Sequence, residues 1–231
     1  MSNLGYRVVE NIERPSEELI KGFEGIQVAN IDDCMNRMGA INASIHQMNQ
    51  KNVLGPAFTV KVPSGDNLMI FLAIEKASPG DVLVIDGDGN MERALVGEIL
   101  ATFAESKKLG GFVINGCIRD YDALLKMDIP IFAKGRTPNG PFRNGPGEIN
   151  TPISIGRKVI FPGDIIIGDS DGVIVVRPED TKELQQKALE IEKKETDTLN
   201  RIHAGEGMDL EWAYKKLKED HCEIISELTK E

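Results

Sequence analysis

Short β-branched runs alternate with longer amphipathic stretches through the middle of the chain, and this alternation limits the possible folds more than any other feature. Strand-like runs lie at 57–62 (AFTVKV), 81–86 (DVLVID), 112–115 (FVIN) and 129–134 (IPIFAK). Helix-like stretches lie between them, at 67–77, 91–111 and 121–127. Because strands that alternate with helices build a mainly parallel sheet covered by helices, this order predicts an α/β fold.

The stretch 91–111 (MERALVGEILATFAESKKLGG) is the clearest helix by its periodicity. Leu95, Ile99 and Phe103 fall on one face, lysines close the last turn, and a pair of glycines ends it. Gly97 lies near the start of this predicted helix, and a glycine inside a helix costs about 1 kcal/mol relative to alanine. Either a ligand that approaches the backbone amides or tight packing of helix on strand would explain this glycine.

The pattern changes after residue 136. The segment 136–152 is dense in Gly, Pro and Asn, which predicts a loop. Four short runs then follow, at 153–156, 158–161, 164–168 and 172–176, and they predict an added β layer. From residue 178 onward the chain is charge-rich and helical, with one break at 203–209. We therefore predict an α/β domain over 1–180 and a helical extension over 181–231, whose thin apolar stripe either faces solvent or packs on a neighbouring subunit.

Composition excludes several classes of partner. The formal net charge is −10, from 37 acidic and 27 basic residues, so the chain should repel a nucleic-acid backbone. No apolar run approaches membrane-spanning length, and the first fifteen residues lack the apolar core of a secretion signal. Three widely spaced cysteines show no metal-binding or disulfide pattern. These observations predict a cytoplasmic protein without membrane or nucleic-acid partners.

An arginine and an aspartate, Arg119 and Asp120, follow directly after one of the predicted strands. They could be two surface charges that open the next helix, with Asp120 near its N-cap. Glu98, however, lies one helix and one strand earlier, at the preceding strand-to-helix corner. In α/β folds such corners gather ligand-binding groups, so two carboxylates and one guanidinium could together hold a hard cation and a 2-oxo acid.

Several stretches carry a resemblance to a known family: RALVGEILA (93–101), GGFVINGCIRDYDAL (110–124), GPGEINTPISIG (145–156) and VIFPGDIIIGDSDGVIVV (159–176). Residues 79–180 resemble the class II pyruvate aldolases that cleave 4-hydroxy-4-methyl-2-oxoglutarate and 4-carboxy-4-hydroxy-2-oxoadipate. The same superfamily contains the regulator of ribonuclease activity A. The aldolase branch is marked by an acidic residue, twenty intervening positions and then Arg-Asp. Glu98, Arg119 and Asp120 match that spacing, with Glu where the family usually has Asp.

The resemblance implies a role for each matching residue. Asp120 would be the direct protein ligand of Mg²⁺ or Mn²⁺, and Glu98 would hold waters of that ion. Arg119 would bind the C2 or C4 oxygen of the substrate. The backbone amides of Gly97, Glu98, Ile99 and Leu100 would hold the pyruvyl carboxylate. Mg²⁺ prefers a site with few protein ligands, where it keeps several of its waters.

The resemblance also implies a fold, an assembly and a reaction. The fold would be a three-layer β/β/α swivelling-domain-like sandwich with a C-terminal helical extension, assembled as a homotrimer or homohexamer. A carboxylate from a neighbouring subunit would complete the site; Glu195 is our candidate, and a solvated helix charge is the alternative. The reaction would be metal-dependent cleavage of a 4-hydroxy-2-oxo dicarboxylic acid to pyruvate and a second oxo acid, with oxaloacetate decarboxylation as a side activity. A non-catalytic, protein-binding regulator is the alternative function.

Overall fold

The computed structural model of the chain describes residues 3–225. Its strands are β1 Tyr6–Val8, β2 His46–Gln47, β3 Val53–Lys61, β4 Val82–Val96, β5 Gly111–Ile118, β6 Ile131–Arg136, β7 Gly147–Ile149, β8 Ile153–Ile155, β9 Lys158–Ile160, β10 Ile165–Asp169 and β11 Gly172–Val176. Its helices are α1 Glu17–Lys21, α2 Val28–Cys34, α3 Leu68–Lys76, α4 Glu98–Ser106, α5 Tyr121–Leu124, α6 Thr181–His203 and α7 Glu211–Glu219. A short 3-10 turn, Pro178–Asp180, precedes α6.

The central sheet has the strand order β1-β7-β3-β4-β5-β6-β2. Strands β3, β4, β5 and β6 are parallel, as expected for strands joined through helices. The hairpin β10-β11 continues from β3 in antiparallel pairing, and β8-β9 forms a separate hairpin. All four central parallel strands therefore end at the same edge of the sheet, where strand-to-helix corners collect.

Three apolar clusters build the interior. One lies between the central sheet and helices α3 and α4, with Phe58, Ile70 and Phe112 fully buried in it. A second lies on the opposite face of the sheet, where Val84 and Phe132 are clustered with residues of β8 to β11. A third covers the outer face of β10-β11 with α1, α2 and the first turns of α6. The predicted α/β sandwich with an added β layer is confirmed, and the helices outside that layer are an addition to it.

The clearest predicted helix begins later than its periodicity suggests. Residues 91–96 belong to the end of β4, and α4 starts only at Glu98. Ile99 is 74% exposed and Phe103 is 38% exposed, whereas Leu100 and Ala101 are buried, so the predicted apolar face is also wrong. The reason is pairing: β4 passes through irregularities and then places Ala94 opposite Cys117 and Val96 opposite Ile118 of β5.

The predicted loop at 136–152 contains a short strand. Strand β7 pairs antiparallel with β3 and parallel with β1, and Ile149 is fully buried. Asp66 anchors the segment before it, since its carboxylate accepts the backbone N–H groups of Asn144 at 2.6 Å and Gly145 at 3.1 Å. Tertiary pairing thus orders a segment whose composition is that of a loop.

The chain divides into two compact units, Met1–Leu189 and Glu190–Glu231. The division falls inside α6, because its first turns bury Leu184 and Ala188 in the core of the first unit. In the second unit, apolar side chains of the predicted stripe are exposed, among them Leu199, Trp212 and Leu217. None of the helices within residues 3–225 combines the length and the apolar character needed to cross a bilayer.

Candidate active site

Two neighbouring strand-to-helix corners meet at the carboxyl edge of the sheet. Strand β4 ends at Val96 and β5 ends at Ile118, and these two residues are register partners. The backbone N–H of Arg119 donates to the carbonyl oxygen of Val96 at 3.0 Å, so the two corners are joined directly. The segments that carry Gly97–Glu98 and Arg119–Asp120 therefore lie side by side, although twenty residues separate them in the chain.

Gly97 sits at the N-cap of α4 and not in a helix interior. Its backbone is extended, with φ −139° and ψ −171°, so the conformation itself does not require glycine. A Cβ atom there would lie 2.4 Å from Asp120 Oδ2 and 2.9 Å from Arg119 Cγ. The groups that approach this glycine are the Arg119 and Asp120 side chains of the neighbouring corner, so packing within the protein explains it, although the packing is between two corners and not between helix and strand. A ligand at the backbone amides stays a prediction.

The Asp120 carboxylate is held from two sides. Its Oδ2 accepts the backbone N–H of Glu98 at 3.1 Å and lies 3.5 Å from Nε of Arg119. The Asp120 backbone is left-handed, with φ 56° and ψ 38°, a region that most side chains avoid and that Asp and Asn tolerate best. Its side chain remains 41% exposed, so the carboxylate faces accessible space.

The backbone N–H groups at the start of α4 have no carbonyl acceptor one turn earlier, because the carbonyl groups that precede the helix accept other donors. The carbonyl of Leu95 accepts Asn67 Nδ2 at 3.0 Å, and that of Val96 accepts the N–H of Arg119. Since the first turn of a helix leaves its N–H groups without intrahelical partners, the amides of Ile99 and Leu100 can serve an anion. The amide of Glu98 is already committed to Asp120.

A cavity of about 220 Å³ lies against these groups. Its lining includes Gly97, Ile99, Leu100, Arg119 and Asp120, five of the residues that the sequence singled out. The side chain of Glu98 is exposed and does not line this cavity. The geometry therefore brings the predicted Arg-Asp pair and the α4 amides together, while the role of the Glu98 carboxylate stays a prediction.

Asn67 is a buried residue of this cavity that sequence reasoning missed. It is 3% exposed, and its Nδ2 donates to Leu95, but its Oδ1 has no partner among residues 3–225. A buried oxygen without a donor costs free energy, which a ligand hydroxyl or a water could recover. The sequence does place Asn67 directly before α3, where an asparagine usually caps the helix, but its side chain makes no cap hydrogen bond there.

A second cavity of about 410 Å³ shares Arg119 and Asp120 with the first. Its other lining residues are Tyr121, Arg136, Thr137 and Pro138. Arg136 stacks over the ring of Tyr121, with 4.1 Å from the guanidinium carbon to the ring centre. Arg143 lines the first cavity and lies over Phe71 at 5.1 Å. The sequence analysis does not predict a role for either arginine, because both lie in the segment 136–152 whose composition predicts a loop.

The carboxylates of the site fit a cation that keeps most of its waters better than a cation bound by protein side chains alone. Within residues 3–225, no three His, Cys, Asp or Glu side chains are arranged as a metal cage. Asp120 offers one carboxylate whose Oδ1 receives no hydrogen bond from the described residues, and Mg²⁺ commonly binds proteins through one or two carboxylates and several waters. Glu195 lies in α6 within the second unit, and its predicted contribution across a subunit boundary stays a prediction.

Comparison with known proteins identifies the family. The family model described as "RraA-like: Aldolase/RraA" matches residues 28–175. The chain belongs to this RraA-like family. A curated relative from Halalkalibacterium halodurans, named "Putative 4-hydroxy-4-methyl-2-oxoglutarate aldolase", is 40% identical over 181 residues, which cover 78% of this chain and 85% of the relative.

Solved structures of other proteins share the fold. A protein from Pseudomonas syringae pv. tomato matches with a TM-score of 0.76 over 88% of this chain and 100% of its own, at 24% identity, which supports the fold alone. The structure described as the RNA-processing inhibitor RraA from Thermus thermophilis matches with a TM-score of 0.61 at 26% identity, over 65% of this chain and 92% of its own. The RraA-like family thus contains proteins named for aldolase activity and proteins named for inhibition.

Proposed function

We propose that this RraA-like chain is a divalent-metal-dependent carbon–carbon lyase. Its reaction would be retro-aldol cleavage of a 4-hydroxy-2-oxo dicarboxylic acid to pyruvate and a second oxo acid, with oxaloacetate decarboxylation as a side activity. The observation that carries the proposal is the contact between the two corners, in which the Glu98 amide holds Asp120 against Gly97 beside the Arg119 guanidinium. Relatives named as aldolases support the same reaction class.

The cavity beside α4 is suited to the pyruvyl half of such a substrate. The amides of Ile99 and Leu100 would bind its carboxylate, because unpaired N–H groups at a helix start attract anions. The Arg119 guanidinium would bind the neighbouring oxo group. Because Arg119 lines both cavities, this contact would fix the substrate beside both of them. Asn67 Oδ1 would accept a hydrogen bond from a hydroxyl group or water inside the same cavity.

Asp120 would hold Mg²⁺ or Mn²⁺ through its carboxylate, and Glu98 would hold waters of the ion. When bound, such a cation stabilises the negative charge that develops on the 2-oxo oxygen as the carbon–carbon bond breaks. The protein residues position the Asp120 carboxylate. Gly97 leaves room for it, and the Glu98 backbone N–H fixes the direction of its Oδ2 atom. Neither cavity is lined by a histidine among the described residues, so the proton of the C4 hydroxyl would leave to water.

The test is Asp120→Asn, measured as pyruvate release from oxaloacetate with and without Mg²⁺. Asparagine has nearly the same shape and tolerates the left-handed backbone, so the fold and the melting temperature should persist. We expect the metal-stimulated rate to fall by at least about 100-fold, because the remaining ligand is neutral. Asp122→Asn, at an exposed position two residues later, is the matched control and should retain full activity. Unchanged metal-stimulated turnover in Asp120→Asn would remove the catalytic assignment.

A second candidate function is binding of another protein without catalysis. The likeness to the RNA-processing inhibitor from Thermus thermophilis is the observation that favours it. The two functions separate in one experiment on the wild-type chain. If no 4-hydroxy-2-oxo acid and no oxaloacetate yields pyruvate at any Mg²⁺ or Mn²⁺ concentration, the binding function is favoured and the lyase proposal fails.

A further inference from the structure

Some arginines of this acidic chain form ion pairs with carboxylates, and others do not. Six arginines form ion pairs with carboxylates: Arg7, Arg14, Arg37, Arg119, Arg177 and Arg201. Arg136 and Arg143 form no ion pair with any residue of the described chain, yet they line the two cavities that meet at Arg119 and Asp120. With ten more acidic than basic residues in the chain, carboxylate partners are plentiful. Unpaired guanidinium groups beside a cavity therefore indicate an anionic ligand.

Arg136 is held in place by the sheet and by an aromatic ring. It is the last residue of β6 and the register partner of Ile118, which directly precedes Arg119. The N–H of Thr137 donates to the Ile118 carbonyl at 3.0 Å, which ties the end of β6 to the Arg119 corner. Stacking on Tyr121 limits the motion of the guanidinium plane, and its N–H groups donate to no side chain or carbonyl within residues 3–225, so they can bind a carboxylate.

The position of the broken bond divides the substrate between the two cavities. If the pyruvyl carboxylate lies against the α4 amides, the 220 Å³ cavity holds the first three carbons. Arg119 and Asp120 line both cavities, so we place the bond between C3 and C4 beside these two residues. The substituents on C4 then extend into the 410 Å³ cavity, where Arg136 is the cation without a carboxylate partner.

We propose that Arg136 binds a carboxylate carried by the C4 end of the substrate and thereby selects dicarboxylic over monocarboxylic 4-hydroxy-2-oxo acids. This inference rests on the proposed lyase function. In the reaction the C3–C4 bond breaks and its electron pair stays with C3, which takes up a proton to give pyruvate. The C4 hydroxyl loses its proton and becomes a carbonyl group. The C4 fragment leaves as glyoxylate when its substituent is a carboxylate, and as acetaldehyde when that substituent is a methyl group.

Two probes that differ only in this substituent test the inference: 4-hydroxy-2-oxoglutarate and 4-hydroxy-2-oxopentanoate, each assayed as pyruvate release by the full chain with Mg²⁺. For Arg136→Gln we expect kcat/KM with the dicarboxylic probe to fall about 10- to 100-fold, the usual range for a hydrogen bond to a charged group. The monocarboxylic probe should change by less than about threefold, because it carries no carboxylate on C4. Arg136→Lys should recover part of the loss, because it restores charge without the planar fork.

Two further arginines serve as controls. Arg157 lines neither cavity and also forms no ion pair with a described residue, so Arg157→Gln should behave as wild type. Arg143 lies on the pyruvyl side, so Arg143→Gln should weaken both probes alike.

The outcomes separate the inference from the function beneath it. If Arg136→Gln affects both probes equally, or if Arg143→Gln alone removes the preference, the inference is overturned while the lyase function stands. If the wild-type chain cleaves neither probe and leaves oxaloacetate intact, both are overturned.

Discussion

A single added methyl group at residue 97 should lower the catalytic rate strongly and the stability only modestly. In Gly97→Ala the new Cβ would lie 2.4 Å from Asp120 Oδ2, whereas an ordinary contact needs at least 3.4 Å, so the oxygen must retreat by about 1 Å. The backbone at Gly97 is extended and accepts alanine without strain. The hydrogen bond from the Glu98 amide to Asp120 is therefore the interaction that the substitution breaks.

The cost in stability should be modest and the cost in rate large. A hydrogen bond to a charged group contributes about 1.5–3 kcal/mol, and the lower end applies here because the Asp120 side chain is 41% exposed. Alanine is a weaker N-cap residue than glycine, which adds about 0.5 kcal/mol. For a chain of this size, a total loss of about 2 kcal/mol lowers the melting temperature by about 4–8 °C. A misplacement of about 1 Å in a reacting site can cost about 100-fold in rate, and we expect that loss in kcat/KM.

Two measurements check this prediction. Oxaloacetate decarboxylation, coupled to reduction of the released pyruvate, reports the rate, and circular dichroism reports thermal unfolding. Asp120→Gly keeps the left-handed backbone and removes Oδ2, so Gly97→Ala should destabilise that background less than it destabilises wild type. Contact with Arg119 Cγ at 2.9 Å would then be the remaining strain. Wild-type turnover in Gly97→Ala would refute the idea that Asp120 must lie against this glycine.

Three other perturbations have defined outcomes. Arg119→Lys should lose at least about tenfold in kcat/KM for oxaloacetate, because an ammonium group cannot form the planar fork; full activity would argue against bidentate binding. Asp81→Ala should lower the free energy of unfolding by about 2–3 kcal/mol in urea titrations, since the fully buried carboxylate accepts both Nε and an Nη atom of Arg14 at 2.7 Å; a smaller loss than Lys51→Ala at an exposed pair would contradict this. Burial raises the pKa of the Cys117 thiol, so the folded protein keeps it protonated to higher pH, and iodoacetamide should alkylate it more slowly than the exposed Cys222 at every pH below that pKa, as mass spectrometry would show.

Local pattern was sufficient for the parts of the fold whose signal lies within a few residues. Residues 57–61 of the first β-branched run and all of 112–115 lie in strands, and 67–77 contains helix α3. The adjacent Arg119 and Asp120 could be placed at the end of a strand for the same reason. Each of these inferences depends on periodicity or on a chain neighbour, which a sequence displays directly.

Pairing between distant segments decided what local pattern could not. Residues 91–96 have a helical period, yet they extend β4 because β5 offers them backbone partners. Strand β7 forms in a segment dense in Gly and Pro because β3 and β1 lie on either side of it. Propensity differences amount to less than about 1 kcal/mol per residue, so tertiary hydrogen bonds and burial override them.

Two carboxylates and one guanidinium of the proposed site, those of Glu98, Asp120 and Arg119, could be named from the chain because their spacing resembles that of the aldolase branch, whereas the start of α4 at Glu98 could not. Only the folded chain shows that Gly97 is there to admit Asp120, that Asn67 carries a buried oxygen without a donor, and that Arg136 opens on a second cavity. These three facts depend on the order of β4, β5 and β6 in the sheet. Residues far apart in sequence become neighbours through hydrogen bonding between strands, and no local period encodes that order.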